Sequence, residues 1–234
     1  MFTPQEFIEG QYLLINKPLG WTSFDVVAKI RTPLKKYCNS KNLKIGHAGT
    51  LDPLATGLLV IVTGKFTKRA EELQNLGKEY TGTITLGAVT PSYDAETEVS
   101  ETFSISNITE EKIKNASKKF TGLIEQVPPV FSAVKVEGRR AYSYARKGED
   151  LILKPRSITI YSFAILNVEL PTVYFKINCS KGTYIRSLAH DLGKELGCGG
   201  YLTSLCRTVI GEFNLEDAMT VTDFITSLDV IHKN

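Results

Sequence analysis

The period of apolar and polar residues along the chain changes several times, and each change predicts an element. "YLLINKP" (12–18) is a short, mostly apolar run stopped by Pro18 and Gly20, the mark of a buried strand. Thr22 or Ser23 can cap a helix over "TSFDVVAKIRTPLKKY", where Phe24, Val27 and Ile30 recur at helical spacing. Pro33 is expected to kink that helix or end it early. "GLLVIVTG" (57–64) predicts a second buried strand, and "FTKRAEELQNLG" (66–77) a helix closed by Gly77. In "KEYTGTITLGAVT" (78–90), Tyr80, Gly82, Ile84 and Leu86 alternate with threonines, which predicts a strand with unlike faces. "TEEKIKNASKKF" carries its acids early and its lysines late, as the dipole of an exposed helix favours. Further on come strands "SITIYSFAIL" and "TVYFKINCSKG", the helix "YIRSLAHDLGKELG" and a strand-like "YLTSLCRTVIGEF". Without a regular βαβ rhythm, this mixture predicts an α+β fold with a largely antiparallel sheet. No repeat, low-complexity tract or linker divides residues 1–234, so a single domain is expected.

Composition narrows the class. At 234 residues, 42% hydrophobic and 23% charged, the chain can bury a real core and is not globally disordered. Cys38, Cys179, Cys198 and Cys206 lie far apart without a CxxC pair, which suits free thiols in a reducing cytosol and offers no zinc motif. The start, "MFTPQEFIEGQY", does not read as a signal peptide, and the longest apolar run is too short to span a bilayer. A soluble, cytoplasmic protein is expected. Walker A, GxGxxG and GxSxG patterns are all absent, which argues against nucleotide cofactors and a serine hydrolase elbow.

A net charge of +3 permits a polyanionic partner without demanding one, so its distribution matters more. Between Gln126 and Arg156 stand seven Lys or Arg against three acids, a local excess larger than that of the whole chain. Phe131, Tyr142 and Tyr144 are interleaved with that charge. Such a stretch is either a solvated loop or a grip for RNA, in which cations neutralise phosphates and rings stack on bases.

One carboxylate stands apart. Asp52, in "GHAGTLDPLATG", has no basic neighbour in sequence before Lys65. Leu-Asp-Pro fits a turn, because the residue before Pro is pushed extended and Asp caps the residues after it. The surrounding Gly46, Gly49 and Gly57 also let backbone approach a ligand, and an ionised carboxylate can act as a covalent nucleophile. That second role needs a cation from elsewhere. Arg186 is a candidate, because it lies in the first turn of a predicted helix, where the dipole disfavours a cation unless a carboxylate or phosphate pairs with it. A solvated helix-start arginine is the alternative. His47 reads as a hydrogen-bonded structural residue, and with only His190 and His232 besides, no metal cluster is visible.

Taken together, "LLINKPLGWTSFDVV", "GHAGTLDPLATGLLVIVTGKFTK", "KEYTGTITLGAVTPSYDAETE", "QVPPVFSAVKVEGRRAYSYARKG" and "CSKGTYIRSLAHDLGKELGCGGYLTSLCRT" resemble the TruB family of tRNA pseudouridine synthases in order and spacing. The resemblance implies the pseudouridine synthase fold, a mixed and mostly antiparallel sheet flanked by helices, with 126–156 as an RNA-binding thumb. It implies isomerisation of uridine 55 in the T loop of tRNA, without metal or organic cofactor; nothing in the sequence suggests an obligate dimer or a protein partner, so a monomer is expected. Asp52 matches the nucleophile, Tyr80 the tyrosine that stacks on uracil, and Arg186 the arginine that pairs with the nucleophile. Asp94 resembles an acid that braces this arginine, Leu205 matches an apolar wall of the uracil pocket, and Tyr184 lies in the matching substrate-binding stretch. His47 is implied to fill space or touch RNA as the target base flips out. Lys17 and Lys68 support the site or touch phosphate, while Arg139, Arg140, Arg146 and Lys147 grip RNA. The stretch after Ile210 is too short for the C-terminal RNA-binding or PUA domain of many relatives, so none is expected. A different class remains open, that of a non-catalytic RNA-binding or tRNA-folding module.

Overall fold

The computed structural model describes residues 2–136, 138–145, 147, 149 and 151–231. In chain order come α1 (Pro4–Glu9), β1 (Tyr12–Lys17), α2 (Ser23–Tyr37), β2 (Ile45–Ala48) and β3 (Ala55–Thr63). A 3-10 turn (Gly64–Arg69) leads into α3 (Ala70–Gln74) and β4 (Lys78–Leu86). Next are β5 (Ala88–Val89), β6 (Glu101–Thr102), α4 (Glu110–Lys118), β7 (Gly122–Gln126), β8 (Lys135–Val136), β9 (Arg139–Arg140) and α5 (Ala141–Ala145). The long strands β10 (Arg156–Glu169) and β11 (Thr172–Cys179) precede α6 (Ile185–Glu195) and β12 (Gly200–Ile210). The chain then forms β13 (Phe213–Asn214), a 3-10 turn (Leu215–Asp217), β14 (Met219–Thr220) and α7 (Val221–Ile231). Two compact units result, one from the residues up to Tyr80 with those from Cys206 onward, the other from Thr81–Leu205.

In the first unit β3 is the organising strand. It pairs antiparallel with β1, Tyr12 opposite Val62 through Lys17 opposite Gly57, and with β2, His47 opposite Ile61. Its apolar run is buried on both faces, which is why it does not alternate with polar residues. Leu59 and Ile61 pack with Leu13, Ile15, Val27, Ile30, Leu34 and Phe224, whereas Leu58, Val60 and Val62 pack with Ala48, Leu73 and Ile210. The tail contributes β14, parallel to β1 with Ile15 opposite Met219, and α7, whose Phe224 and Leu228 join the α2 core. Neither α7 nor α1 was among the elements expected from the pattern. α1 is nonetheless signalled by a capping box in which Thr3 and Glu6 satisfy each other's backbone N–H groups.

Two expectations are narrowed here. Of the two outcomes expected at Pro33, the early end does not occur, because α2 runs to Tyr37 from a capping box between Thr22 and Asp25. A helix-interior proline costs about 3 kcal/mol. Continuing past it buries Leu34 and Tyr37, each at most 6% exposed, and fully burying a large apolar side chain returns about 1.5–3 kcal/mol. The stretch 66–77 is not one α-helix, since it begins in the 3-10 turn Gly64–Arg69 and only the five residues of α3 are α-helical. Gly64 lies against α1, where a Cβ would fall 2.1 Å from the Ile8 carbonyl oxygen, and Lys78 Nζ donates to the carbonyls of Gln74 and Leu76, closing the turn early.

In the second unit the strands follow the order β12-β4-β11-β10-β7. β10 pairs antiparallel with β11 on one side and with β7 on the other. β4 shows the unlike faces expected of it, with Ile84 and Leu86 buried while Thr83 bonds to Thr203 and Ser204 of β12. Gly82 permits that approach, since a Cβ there would lie 2.2 Å from the Ser204 carbonyl oxygen. Gln126 and Arg156 stand opposite each other in the β7–β10 ladder. The basic segment therefore leaves the sheet and returns to it at one place, bearing the β8–β9 hairpin and α5. The fold is α+β with mostly antiparallel pairing.

Candidate active site

The Asp52 loop belongs to the first unit, and its turn reading holds. Ala55 N donates to Asp52 O at 3.0 Å, so Asp52 opens a β-turn with Pro53 in second position. The loop is also pinned on each side of the carboxylate. Ser23 Oγ accepts from Leu51 N at 2.8 Å and donates to Leu51 O at 3.3 Å. Pro53 O accepts from Gly20 N at 2.8 Å and from Lys17 Nζ at 3.4 Å, and Lys17 Nζ donates also to Trp21 O at 2.6 Å. Further out, Arg207 on β12 donates through Nε to Leu58 O at 2.8 Å and through Nη2 to Gly49 O at 3.1 Å. Gly57 makes room for this clamp, because at φ +101° a Cβ would lie 2.4 Å from Arg207 O. These bonds hold the backbone on both sides of the half-buried Asp52 in place.

Two fully buried cations therefore serve this loop, Lys17 and Arg207 at 0% and 1% exposed. Burial pulls the Lys17 amine down to about 8, Asp52 opposes that drop, and the nearby Arg207 charge adds to it. His47, half-buried on β2, has its pKa lowered by burial and then by Arg207, which keeps the imidazole neutral at pH 7. Its Nδ1 is buried and has no hydrogen-bond partner among the described residues. Tyr80 lies on β4 with 8% exposure, and Lys68 stands exposed on the 3-10 turn.

The second unit builds its own charged centre. Arg186, second residue of α6, is paired with Asp94, Nη1 to Oδ2 at 3.4 Å, with both side chains under a tenth exposed. Asp94 Oδ1 accepts from Ser92 Oγ at 2.6 Å and from Glu96 N at 2.9 Å, which satisfies the buried carboxylate. A carboxylate thus accounts for the cation at the helix start. Tyr184 caps the same helix, its N–H donating to Gln126 Oε1 at 2.8 Å while the Arg156 guanidinium lies 5.2 Å from its ring centroid. Leu205, half-buried, is on β12.

On the basic segment, Arg139 lies 4.3 Å from the Tyr144 ring centroid and 3.7 Å from Glu149, so its fork is already engaged. Arg140 and Lys147 are exposed, and Arg146 lies outside the described residues. Arg207 and Ser23 did not emerge as site residues from the sequence. Arg207 had left a sign, since it shares the alternation phase of Leu205 and Val209, and a cation in the apolar phase of a strand must find buried acceptors. Ser23 left none, being one of two adjacent residues able to cap α2.

Residues 35–185 match the TruB family pseudouridylate synthase N-terminal domain, and residues 186–233 the tRNA pseudouridylate synthase B C-terminal domain. The chain is 53% identical over 227 residues to a tRNA pseudouridine synthase B of Flavobacterium johnsoniae, covering 97% of this chain and 99% of that protein. It is 51% identical to a protein of the same name from Phocaeicola vulgatus, covering 95% of each. Among solved structures, a chain in the crystal structure of a Cbf5–Nop10–Gar1 complex superposes with a TM-score of 0.70 at 31% identity. That match covers 97% of this chain and 58% of the other.

Proposed function

Because the chain belongs to the TruB family of pseudouridylate synthases, we propose that it isomerises uridine 55, in the T loop of tRNA, with Asp52 as nucleophile. Isomerisation of tRNA uridine to pseudouridine is the activity, and it is carried by the identity to tRNA pseudouridine synthases B over nearly the full length of both chains. The placement of Asp52 in a loop held on both sides supports its role.

In the reaction the N1–C1′ bond breaks, the uracil turns over in the site and C5 bonds to C1′. The C5 proton is released and N1 gains one, so the change is an isomerisation with no redox partner. Asp52 assists the cleavage and Tyr80 stacks on the uracil and accepts the C5 proton. Arg186, braced by Asp94, is the cation that pairs with the nucleophile. Leu205 walls the uracil, Tyr184 contacts substrate, and His47 fills the place of the base when it leaves its stack. Lys17 acts by holding Pro53, and Lys68 meets phosphate. The 126–156 segment grips the T arm through Arg139, Arg140, Arg146 and Lys147. The protein works as a cytoplasmic monomer, without metal or organic cofactor.

The test is a T-arm hairpin carrying tritium at C5 of the target uridine. Release of the label to water is expected, and tight hairpin binding without release would refute catalysis. A hairpin with another base at the target position should release none from a neighbouring uridine, and release there would refute the site assignment.

A further inference from the structure

Between Ser92 and Asp94 stands Tyr93, with a φ of +63°. This is a left-handed backbone that a bulky residue adopts only when its surroundings impose it. The turn around it is closed by Tyr93 N donating to Thr90 O at 3.2 Å, by Thr90 Oγ1 donating to Asp94 O at 2.7 Å and by Leu202 N donating to Tyr93 O at 3.0 Å. That geometry sends the Tyr93 ring onto α6, where it stacks on His190 with centroids 3.9 Å apart and planes 14° from parallel. His190 lies four residues after Arg186, one helical turn along the same face. A single turn of chain therefore touches α6 twice, through the Asp94–Arg186 pair and through the Tyr93–His190 stack.

His190 has no visible part in proton transfer. Its Nδ1 is buried without a hydrogen-bond partner among the described residues. Burial, and then the Lys194 charge, lower its pKa, so the ring is a neutral plate at pH 7. The Arg186 guanidinium meets this turn through Nη1, which lies 3.4 Å from Asp94 Oδ2 and donates to Ser92 O at 3.4 Å, so the direction of the side chain follows the position of the turn.

We propose that the Tyr93–His190 stack is a positioning device for Arg186, clamping the Ser92–Asp94 turn to α6 so that the guanidinium keeps one direction through turnover. This rests on the reading of Arg186 as part of the uridine-isomerising site. Tyr93 and His190 touch no reacting atom in it.

The experiment compares tritium release by wild type, His190→Ala, His190→Phe and Tyr93→Gly, with melting temperatures measured alongside. Loosening a catalytic group by about 1 Å costs on the order of a hundredfold, so His190→Ala should lose about ten- to a hundredfold in kcat with KM little changed. His190→Phe keeps a flat ring for Tyr93 and should restore most of the rate. Tyr93→Gly removes the ring but relieves the left-handed backbone, so it should melt no lower than wild type and still lose kcat. In an Asp94→Asn background, removing the stack should add little further loss, because both act through the same guanidinium. Wild-type kcat in His190→Ala and Tyr93→Gly would overturn the proposal, as would a phenylalanine no better than alanine or fully additive losses with Asp94→Asn. No release by wild type would overturn the functional reading and this inference with it, whereas active wild type with unaffected stack variants overturns this inference alone.

Discussion

Replacing Arg207 with methionine probes whether the Asp52 loop is held or merely happens to lie still. The guanidinium is 1% exposed and serves two carbonyls, Leu58 O and Gly49 O, one on each side of Asp52. Leaving a buried acceptor unsatisfied costs about 1–3 kcal/mol, so two together cost about 2–6 kcal/mol. Methionine also removes the desolvation penalty of a buried cation and fills much of the same volume, which offsets part of that loss. A net destabilisation of about 2–4 kcal/mol remains. With a urea slope near 2 kcal/mol per molar, the unfolding midpoint should fall by about 1–2 M. A domain of ordinary stability, about 5–15 kcal/mol, stays folded in the absence of urea, so turnover can still be measured. With its outer clamp gone, the loop should lose about a hundredfold in kcat for the T-arm hairpin, with little change in KM. Arg207→Lys, which can reach one carbonyl at best, should fall between. A methionine variant with the wild-type urea midpoint and kcat would refute the clamp.

The same geometry sets three other outcomes. Asp52→Asn should reduce tritium release to background while hairpin affinity, measured by fluorescence anisotropy, stays close to wild type. Retained turnover would remove Asp52 from the chemistry. Lys17, held near pKa 8 against 10.5 when unfolded, gives a pH signature. Between those values the unfolded chain binds the proton more tightly, so this group's contribution to stability rises with pH across that window. The stability gap of wild type over Lys17→Met should therefore widen by up to about 3 kcal/mol from pH 8 to pH 10.5, read by urea unfolding. A gap that is flat or narrows would show that the amine is not desolvated. Changing Arg139, Arg140 and Lys147 together to alanine should weaken hairpin binding and reduce the slope of log K against log salt by about 1 for each phosphate no longer neutralised. An unchanged slope would return the segment to the status of a solvated loop.

How much of this was legible before folding depends on how local the cause is. The capped start of α2, the two-faced pattern of β4 and the doubly buried run of β3 are properties of a few consecutive side chains, and each is where the pattern placed it. Pro33 does not end α2, because its local penalty is outweighed by the burial of Leu34 and Tyr37, which depends on distant packing partners. α3 stops at Gln74, where Lys78 Nζ donates to the carbonyls of Gln74 and Leu76, a contact made from beyond the expected helix. The tail is the largest omission. β14 is only two residues long and exists because β1, some two hundred positions earlier, offers an edge to pair with.

For the site, local residue chemistry raised Asp52 and Arg186 as candidates, and the resemblance to the family added Tyr80. Those motifs are contiguous, and they state which chemistry is present. They do not state what keeps it in place. Asp94 came from resemblance, but its pairing with Arg186 and its satisfaction by Ser92 and Glu96 are facts of the folded turn. Arg207 and Lys17 hold the Asp52 loop by donating to backbone carbonyls, groups that every residue carries and that leave no trace in a sequence. Sequence alone therefore determined which groups are available for chemistry, because side-chain identity is written there directly. Only tertiary structure decided which backbone atoms those buried cations reach, because that depends on strands far apart in the chain meeting side by side.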